Sequence, residues 1–492
     1  MPDAPSRPNL VFILPDRQRR DSLACYGNDW VQTPHLNALA EQSFVFDRAY
    51  VTQPVCAPAR ASLVTGLYPP AAGMPVNRLV MPPEVQSVAQ MVSGDYVTAY
   101  YGKWHLGDEI VRQRGFDEWL SIADNWWPEY TDAASRSSFS DYWRFLKDAS
   151  FEPDADHPGG RMFSAGMRAR LPAEYQMASF LGGRAAEFIR GTAGRPFVLY
   201  VSSLEPHPPF TGPYDGLYDP ATLPVDATFM EPPEGGSLFN RLRADFWQHA
   251  EHDGFDLSTE EGWRRLRANY FGNITLVDDM AGAILGALDE TGIARDTIVV
   301  FTSEHGDMVG THAMLEMRTP FEEATSVPLL MRVPWLLDGT QRVGGNFSQI
   351  DMLPTLLELL GQPVPAHLQG ESRAAVLRGE ASLEDNDVFI QHNGLGDRDL
   401  TSEANRHSWP PEKVRDLNYL NAVPWRSVVT ADRWKLTLCA ADQGELFDLN
   451  SDPSETTNLF DEPEHRDRIR AMAARIHLWQ QQSGDTAPLP SV

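Results

Sequence analysis

Four short apolar runs, each closed by polar or charged residues, constrain the fold of this 492-residue chain more than any other feature. Residues 9–14, 97–101, 197–202 and 297–302 read as strands, and between them lie helical patterns at 35–42, 85–92, 178–190 and 269–288. Strand and helix in alternation predict an α/β fold, a large and mostly parallel (mixed) sheet with helices on both faces. Chemistry in such folds collects at the carboxyl ends of the strands. Asp16 follows the first run, Lys103 and His105 the second, His207 the third, and Glu304 with His305 the fourth.

The remainder is organised differently. Residues 125–177 are rich in aromatic, Gly, Pro and charged residues without clear periodicity, the pattern of long excursions over a sheet edge that build pockets. Among their aromatics, and just ahead of them, Trp119, Trp126, Trp127 and Tyr130 suit either stacking on a ring of the ligand or packing of the loop itself. A helix at 351–360 is ended by Gly361 and Pro363. Beyond about residue 395 the pattern becomes short strands, 425–430, 434–439 and 445–449, before a last helix at 464–482. The expected division is therefore a catalytic α/β domain over 1–395 and a small C-terminal α+β subdomain with an antiparallel sheet over 396–492.

The formal charge of −27 argues against nucleic acid or an anionic membrane as partner, since both select clustered cations. An anionic small molecule is still compatible, provided local cations inside a cleft capture it. Cys25, Cys56 and Cys439 are the only cysteines and lie far apart, so no disulfide framework is indicated. No apolar run suits a membrane span and the N-terminus has no basic segment followed by an apolar one, so a cytoplasmic protein is expected.

Cys56 sits in the run Val55-Cys56-Ala57-Pro58-Ala59-Arg60, followed by Leu63 and Thr65-Gly66. Just ahead of a helical stretch, free amides and the positive dipole end favour an anion or a thiolate there. From the residues alone Cys56 is a candidate nucleophile or a buried structural thiol. The full C-x-P-x-R pattern with its Leu-x-Thr-Gly tail resembles the signature of the type I sulfatases. That resemblance extends over essentially the whole chain. Gly102-Lys103-Trp104-His105 is similar to the family's second signature, and Glu205-Pro206-His207-Pro208 to its substrate loop. Ser303-Glu304-His305-Gly306-Asp307 is similar to its second metal segment, and Asp432-Arg433-Trp434-Lys435 to its tail.

The resemblance implies that a maturation enzyme oxidises Cys56 to formylglycine, whose hydrated aldehyde supplies the attacking oxygen. It implies a divalent cation, Ca²⁺ first and Mg²⁺ or Mn²⁺ as alternatives, held by Asp16, Glu304, His305 and an oxygen of the modified Cys56. Arg60 then holds the hydrate, Lys103 binds an oxygen of the transferred group, and His207 protonates the departing alcohol. His105 takes the proton of the remaining hydroxyl, which expels sulfate and restores the aldehyde. Histidine suits both tasks because its ordinary pKa lies near neutrality.

Three positions depart from the family pattern. The first metal segment normally carries Asp-Asp or Asp-Gln, and here reads Asp16-Arg17-Gln18. Arginine cannot be a ligand, so Arg17 either offsets part of the cation's role, binds a substrate anion, or is a solvated side chain pointing away. Glu304 stands where aspartate is usual. Met317 aligns with a usual lysine, whose charge the adjacent Arg318 is placed to supply, which makes Arg17 and Arg318 candidate substrate-binding residues. Either the metal site is remodelled, with fewer ligands and more fixed positive charge, or the metal-dependent reaction is lost. The leading expectation is hydrolysis of a small-molecule sulfate ester. A phosphonate monoester or phosphate diester hydrolase with the same nucleophile is the alternative, and a non-catalytic anion-binding homologue the reading from another class.

Overall fold

The computed structural model describes residues 5–123, 130–131, 135–157, 160–394 and 409–492. Its main sheet is built on five parallel strands: β1 (Asn9–Ile13), β3 (Val97–Gly102), β4 (Glu118–Leu120), β5 (Phe197–Ser202) and β6 (Thr297–Thr302). The spatial order is β6-β1-β5-β3-β4. Beyond β6 the sheet continues through β8 (Leu329–Arg332), which is antiparallel to it, then β2 (Phe44–Tyr50), with β7 (Ser326–Val327) and β9 (Gln341–Ser348) on β2. The mixed sheet expected from the sequence is thus present.

Alternate residues of β1 show why both faces must be covered. Leu10 and Phe12 enter one apolar core, Val11 and Ile13 the other, and all four are fully buried. Strands buried on both sides read as continuous apolar runs. Helices α1 (Pro34–Ala40), α3 (Met177–Thr192) and α4 (Glu260–Glu290) cover one face, and α2 (Cys56–Thr65) and α5 (Met352–Leu359) the other. The helix α4 has the length and hydropathy of a membrane span, but its apolar residues Leu276, Met280 and Ile284 pack against α3 in the core.

A second sheet, four-stranded and antiparallel, runs β10 (Val388–His392), β11 (Trp425–Val429), β12 (Trp434–Cys439) and β13 (Glu445–Asp448). Its first strand lies ahead of the expected division at 395/396, because β10 pairs residue for residue with β11, a long-range partner invisible in local pattern. Helix α6 (Pro411–Ala422) precedes β11, and α7 (Arg466–Ser483) packs over the sheet. Lys435 ties the two sheets together: its Nζ, fully buried, meets Glu322 at 2.6 Å and Glu455 at 2.8 Å.

Of the aromatics singled out above, Trp126 and Trp127 lie outside the described residues. Trp119 stacks on Tyr100 at 5.2 Å and Tyr130 is buried with its hydroxyl donating to the Ala123 carbonyl, so these two pack the protein itself.

Candidate active site

Cys56 is the first residue of α2, immediately after Val55, which is still extended. The Asn77 carboxamide oxygen accepts from the Ala57 amide at 3.0 Å, which caps one of the free donors at this helix start. Pro58 is tolerated in the first turn, where its missing N–H costs no hydrogen bond. Arg60 lies one turn on, on the same side of the helix as Cys56, so the C-x-P-x-R spacing brings thiol and guanidinium to one place.

Around the Cys56 sulfur, the strand ends of β1 and β6 deliver Asp16, Glu304 and His305. Ligand-type atoms of these four side chains all lie within 4.8 Å of one another, and every one is buried. His305 Nε2 is 3.2 Å from Cys56 Sγ and 3.1 Å from Glu304 Oε1. Its Nδ1 faces the Gly306 carbonyl at 2.8 Å. Burial disfavours charge on this ring, but Cys56 and Glu304 raise it to about 10, so a cation held at Nε2 would displace a proton. Asp16 Oδ1 and Glu304 Oε1 accept no hydrogen bond although both are buried. Unsatisfied carboxylate oxygens converging with an imidazole nitrogen suit a divalent cation, so the residues fit one.

Fixed cations neutralise the outer oxygens of the same carboxylates. Lys103 Nζ donates to Asp16 Oδ2, and Arg60 Nε stands against Glu304 Oε2. Burial by itself would raise the Asp16 carboxyl, but Lys103, with Arg60 adding to it, holds it well below the usual range. Burial works against the Lys103 charge and Asp16 more than restores it. Arg60 Nη1 also donates to the Lys103 carbonyl at 2.6 Å and to Ser202 Oγ at 2.7 Å, which locks three strand ends together. Lys103 reaches the centre because Gly102 ends β3 at φ 110; a Cβ there would lie 1.9 Å from the Ser202 carbonyl oxygen.

His105 and His207 are held neutral. Burial lowers His105 well below 6.5, and Lys103 and Arg60 add to the effect. Burial does the same at His207, helped by Arg17. Glu109 fixes the His105 loop by accepting from the Trp104 amide at 2.8 Å and the His105 amide at 2.5 Å. His207 Nδ1 faces the Pro208 carbonyl at 2.9 Å, which leaves Nε2 for a ligand.

A family model described as Sulfatase matches residues 8–362. The chain belongs to the sulfatase family. An ulvan-active sulfatase of Formosa agariphila is 27% identical over 496 residues, covering 98% of this chain and 83% of that protein. A choline-sulfatase of Rhizobium meliloti is 27% identical over 478 residues, with 93% and 83% covered. Among solved structures, a phosphonate monoester hydrolase from Silicibacter pomeroyi superposes with a TM-score of 0.77 at 23% identity, covering 97% and 96% of the two chains. The family model and the named sulfatase relatives make the chain a sulfuric ester hydrolase by family, and the structural likeness shows the shared fold.

In this sulfatase Arg17 is no solvated surface residue. Its side chain is buried, with Nη1 donating to Asp307 Oδ2 at 3.1 Å and Nη2 3.8 Å from Glu316 Oε1. Glu316 in turn pairs with Arg318, giving a buried chain of alternating charge. Arg318 stands beside the nucleophile segment through its backbone amide, which donates to the Pro54 carbonyl at 3.2 Å. Tyr270 from α4 bridges the Arg17 carbonyl and the Arg19 amide. Gln18, the other residue of the first segment, is turned away and donates to Ser22. Arg17, His105, Glu316 and Arg318 all adopt left-handed backbone, at φ 66, 61, 67 and 80. Such strain gathers where the surrounding structure over-determines a functional geometry.

The structure therefore gathers Asp16, Cys56, Arg60, Lys103, Glu304 and His305 directly, and sets Arg17 and Arg318 in a linked charge chain beside them. Sequence reasoning missed Asn77, Glu109, Asp307 and Glu316 as supports. It also missed Arg243, whose guanidinium donates to the carbonyls of Met317 and Leu315 and so holds the loop that presents Glu316. Of these only Asp307 carried a signal, as the last residue of the Ser303–Asp307 motif.

Proposed function

We propose that this sulfatase hydrolyses the sulfate ester of a small organic or carbohydrate alcohol, using formylglycine made from Cys56 by a maturation enzyme. The observation that carries the reading is the convergence of Cys56, Asp16, Glu304 and His305 within 4.8 Å, beside Lys103 and Arg60. A divalent cation, Ca²⁺ first given the carboxylate donors, would be held by Asp16, Glu304, His305 and residue 56. When bound it would polarise the sulfuryl oxygens and favour ionisation of the nucleophile. The aldehyde hydrate at residue 56 supplies the oxygen that attacks sulfur.

The chain's own residues do the rest. Arg60 orients the hydrate at residue 56, one helical turn away. Lys103 and Arg17 bring fixed positive charge to the transferred group, and Arg318 extends that charge toward the substrate. The negative charge of the bound ester favours uptake of a proton from solvent at His207 Nε2, which gives it to the leaving alcohol oxygen, and His105 receives one from the second hydroxyl of the hydrate. The net reaction consumes one water and releases an alcohol, sulfate and a proton.

Parallel assays of the matured protein on an aryl sulfate and an aryl phosphonate monoester test the reading. Faster sulfate turnover is expected. Faster phosphonate turnover would assign the same nucleophile to the phosphonate reaction, and turnover of neither ester with any divalent ion would leave an anion-binding protein.

A further inference from the structure

A cleft of about 590 Å³ opens at the seam between the main domain and the C-terminal sheet, away from the reaction centre. Tyr68, Ser348 and Asp351 line it from one side, Phe389 on β10 and Trp479 on α7 from the other. Tyr68 stands three residues beyond the end of α2, whose first residue is Cys56. Ten helical residues rise about 15 Å, so the cleft and the nucleophile sit at opposite ends of that helix.

The polar groups of the cleft are unevenly satisfied. Its guanidiniums are paired, Arg373 with Asp351 at 2.8 Å and Arg475 with Asp387 at 2.7 Å. Ser348 Oγ has no hydrogen-bond partner, although Ser348 is only 5% exposed. A buried donor left without a partner is costly, and a ligand that supplies one relieves the cost. The Trp479 ring stacks on Phe389 at 5.4 Å and 7° and meets Tyr68 edge-on at 5.2 Å, which forms an aromatic wall. Leu478, 54% exposed, marks the rim.

We propose that this cleft is a second, non-catalytic site for a neutral, hydroxyl-rich ring, one unit of a saccharide. The volume is that of a small-molecule site. Carboxylates and amides accept from and donate to ring hydroxyls, while the aromatic wall suits the apolar face of the ring. Four carboxylates, Asp351, Glu371, Asp385 and Asp387, face two guanidiniums, so a sulfated ring is disfavoured and the site differs in kind from the cationic centre around Cys56. The inference rests on the cleft alone and is independent of the proposed reaction.

Saturation-transfer NMR on the full chain with maltose, cellobiose, lactose and xylobiose tests it. At least one neutral disaccharide is expected to bind saturably, with affinity at least tenfold weaker in Asp385→Ala and in Leu478→Asp, two exposed rim substitutions that leave aryl sulfate turnover and the melting midpoint unchanged. No saturable binding at millimolar concentrations, binding indifferent to both rim substitutions, or tighter binding of a sulfated disaccharide at this cleft would overturn the proposal.

Discussion

Arg17 donates to Asp307 at 3.1 Å, and both side chains are buried where the chain turns from β1 into the site. The pair puts a permanent positive charge next to Asp16, the position after which sulfatases usually carry a further carboxylate or amide. Asp307 and Glu316 hold that charge in place, so Arg17 is a built part of the centre.

Replacing Arg17 by Gln strands the Asp307 carboxylate. Breaking a buried pair from one side costs about 3–5 kcal/mol, and this loss is expected in urea unfolding of Arg17→Gln. Adding Asp307→Asn removes the stranded charge and should recover most of it. Stability of the single variant within about 0.5 kcal/mol of the parent would contradict a structural pairing.

His207 is the expected proton donor, so its importance should scale with the leaving group. His207→Ala is predicted to lower kcat/KM for an alkyl sulfate by about 10²–10⁴-fold. The loss for a nitrophenyl sulfate, whose alcohol leaves without help, should be smaller by at least about tenfold. Equal losses for both would remove the acid role.

Divalent-ion dependence follows from the unsatisfied oxygens of Asp16 and Glu304. Chelation is expected to abolish turnover and lower the melting midpoint, and added Ca²⁺ to restore both. In Glu304→Gln, one carboxylate fewer, restoration should need about tenfold or more Ca²⁺, a loss of about 1.4 kcal/mol in binding. Titration of the melting midpoint against Ca²⁺ measures this without reference to activity.

Acid stability has an identifiable contributor outside the centre. Burial would raise Asp226, but Arg19, and then Arg267, bring it down to about 2. A folded value below the unfolded one, about 3.9, means that its stabilisation is complete above about pH 4 and is lost as pH falls through about 2. The stability gap between the parent and Asp226→Asn in urea unfolding should therefore narrow between pH 5 and pH 2.5. A gap that widens on acidification would reverse the sign.

The strand-end residues were legible in the sequence because each parallel strand is a short apolar run with a motif at its end. Asp16, Lys103, His207 and Glu304 all followed from that pattern. β2 and β10 were not legible. β2 lies second from one end of the sheet and carries Asp47 and Arg48 in its middle, which break the continuous apolar run that marks the other buried strands. β10 is defined by its pairing with β11, more than thirty residues on. The partners of Arg17 escaped for a related reason. Spacing shows that Arg17 cannot ligate, but only the folded chain shows that carboxylates 290 and 299 residues away close around it. Arg243 likewise acts on backbone carbonyls, which leave no trace in side-chain pattern.

The account stands on residue 56 being the nucleophile only after its thiol has become an aldehyde. Samples matured to different extents, with the aldehyde fraction at residue 56 read by peptide mass, allow aryl sulfate turnover to be plotted against that fraction. Turnover is predicted to rise in proportion and to vanish with the unconverted thiol. Turnover independent of the fraction, or absent in fully converted protein supplied with Ca²⁺, would contradict the mechanism.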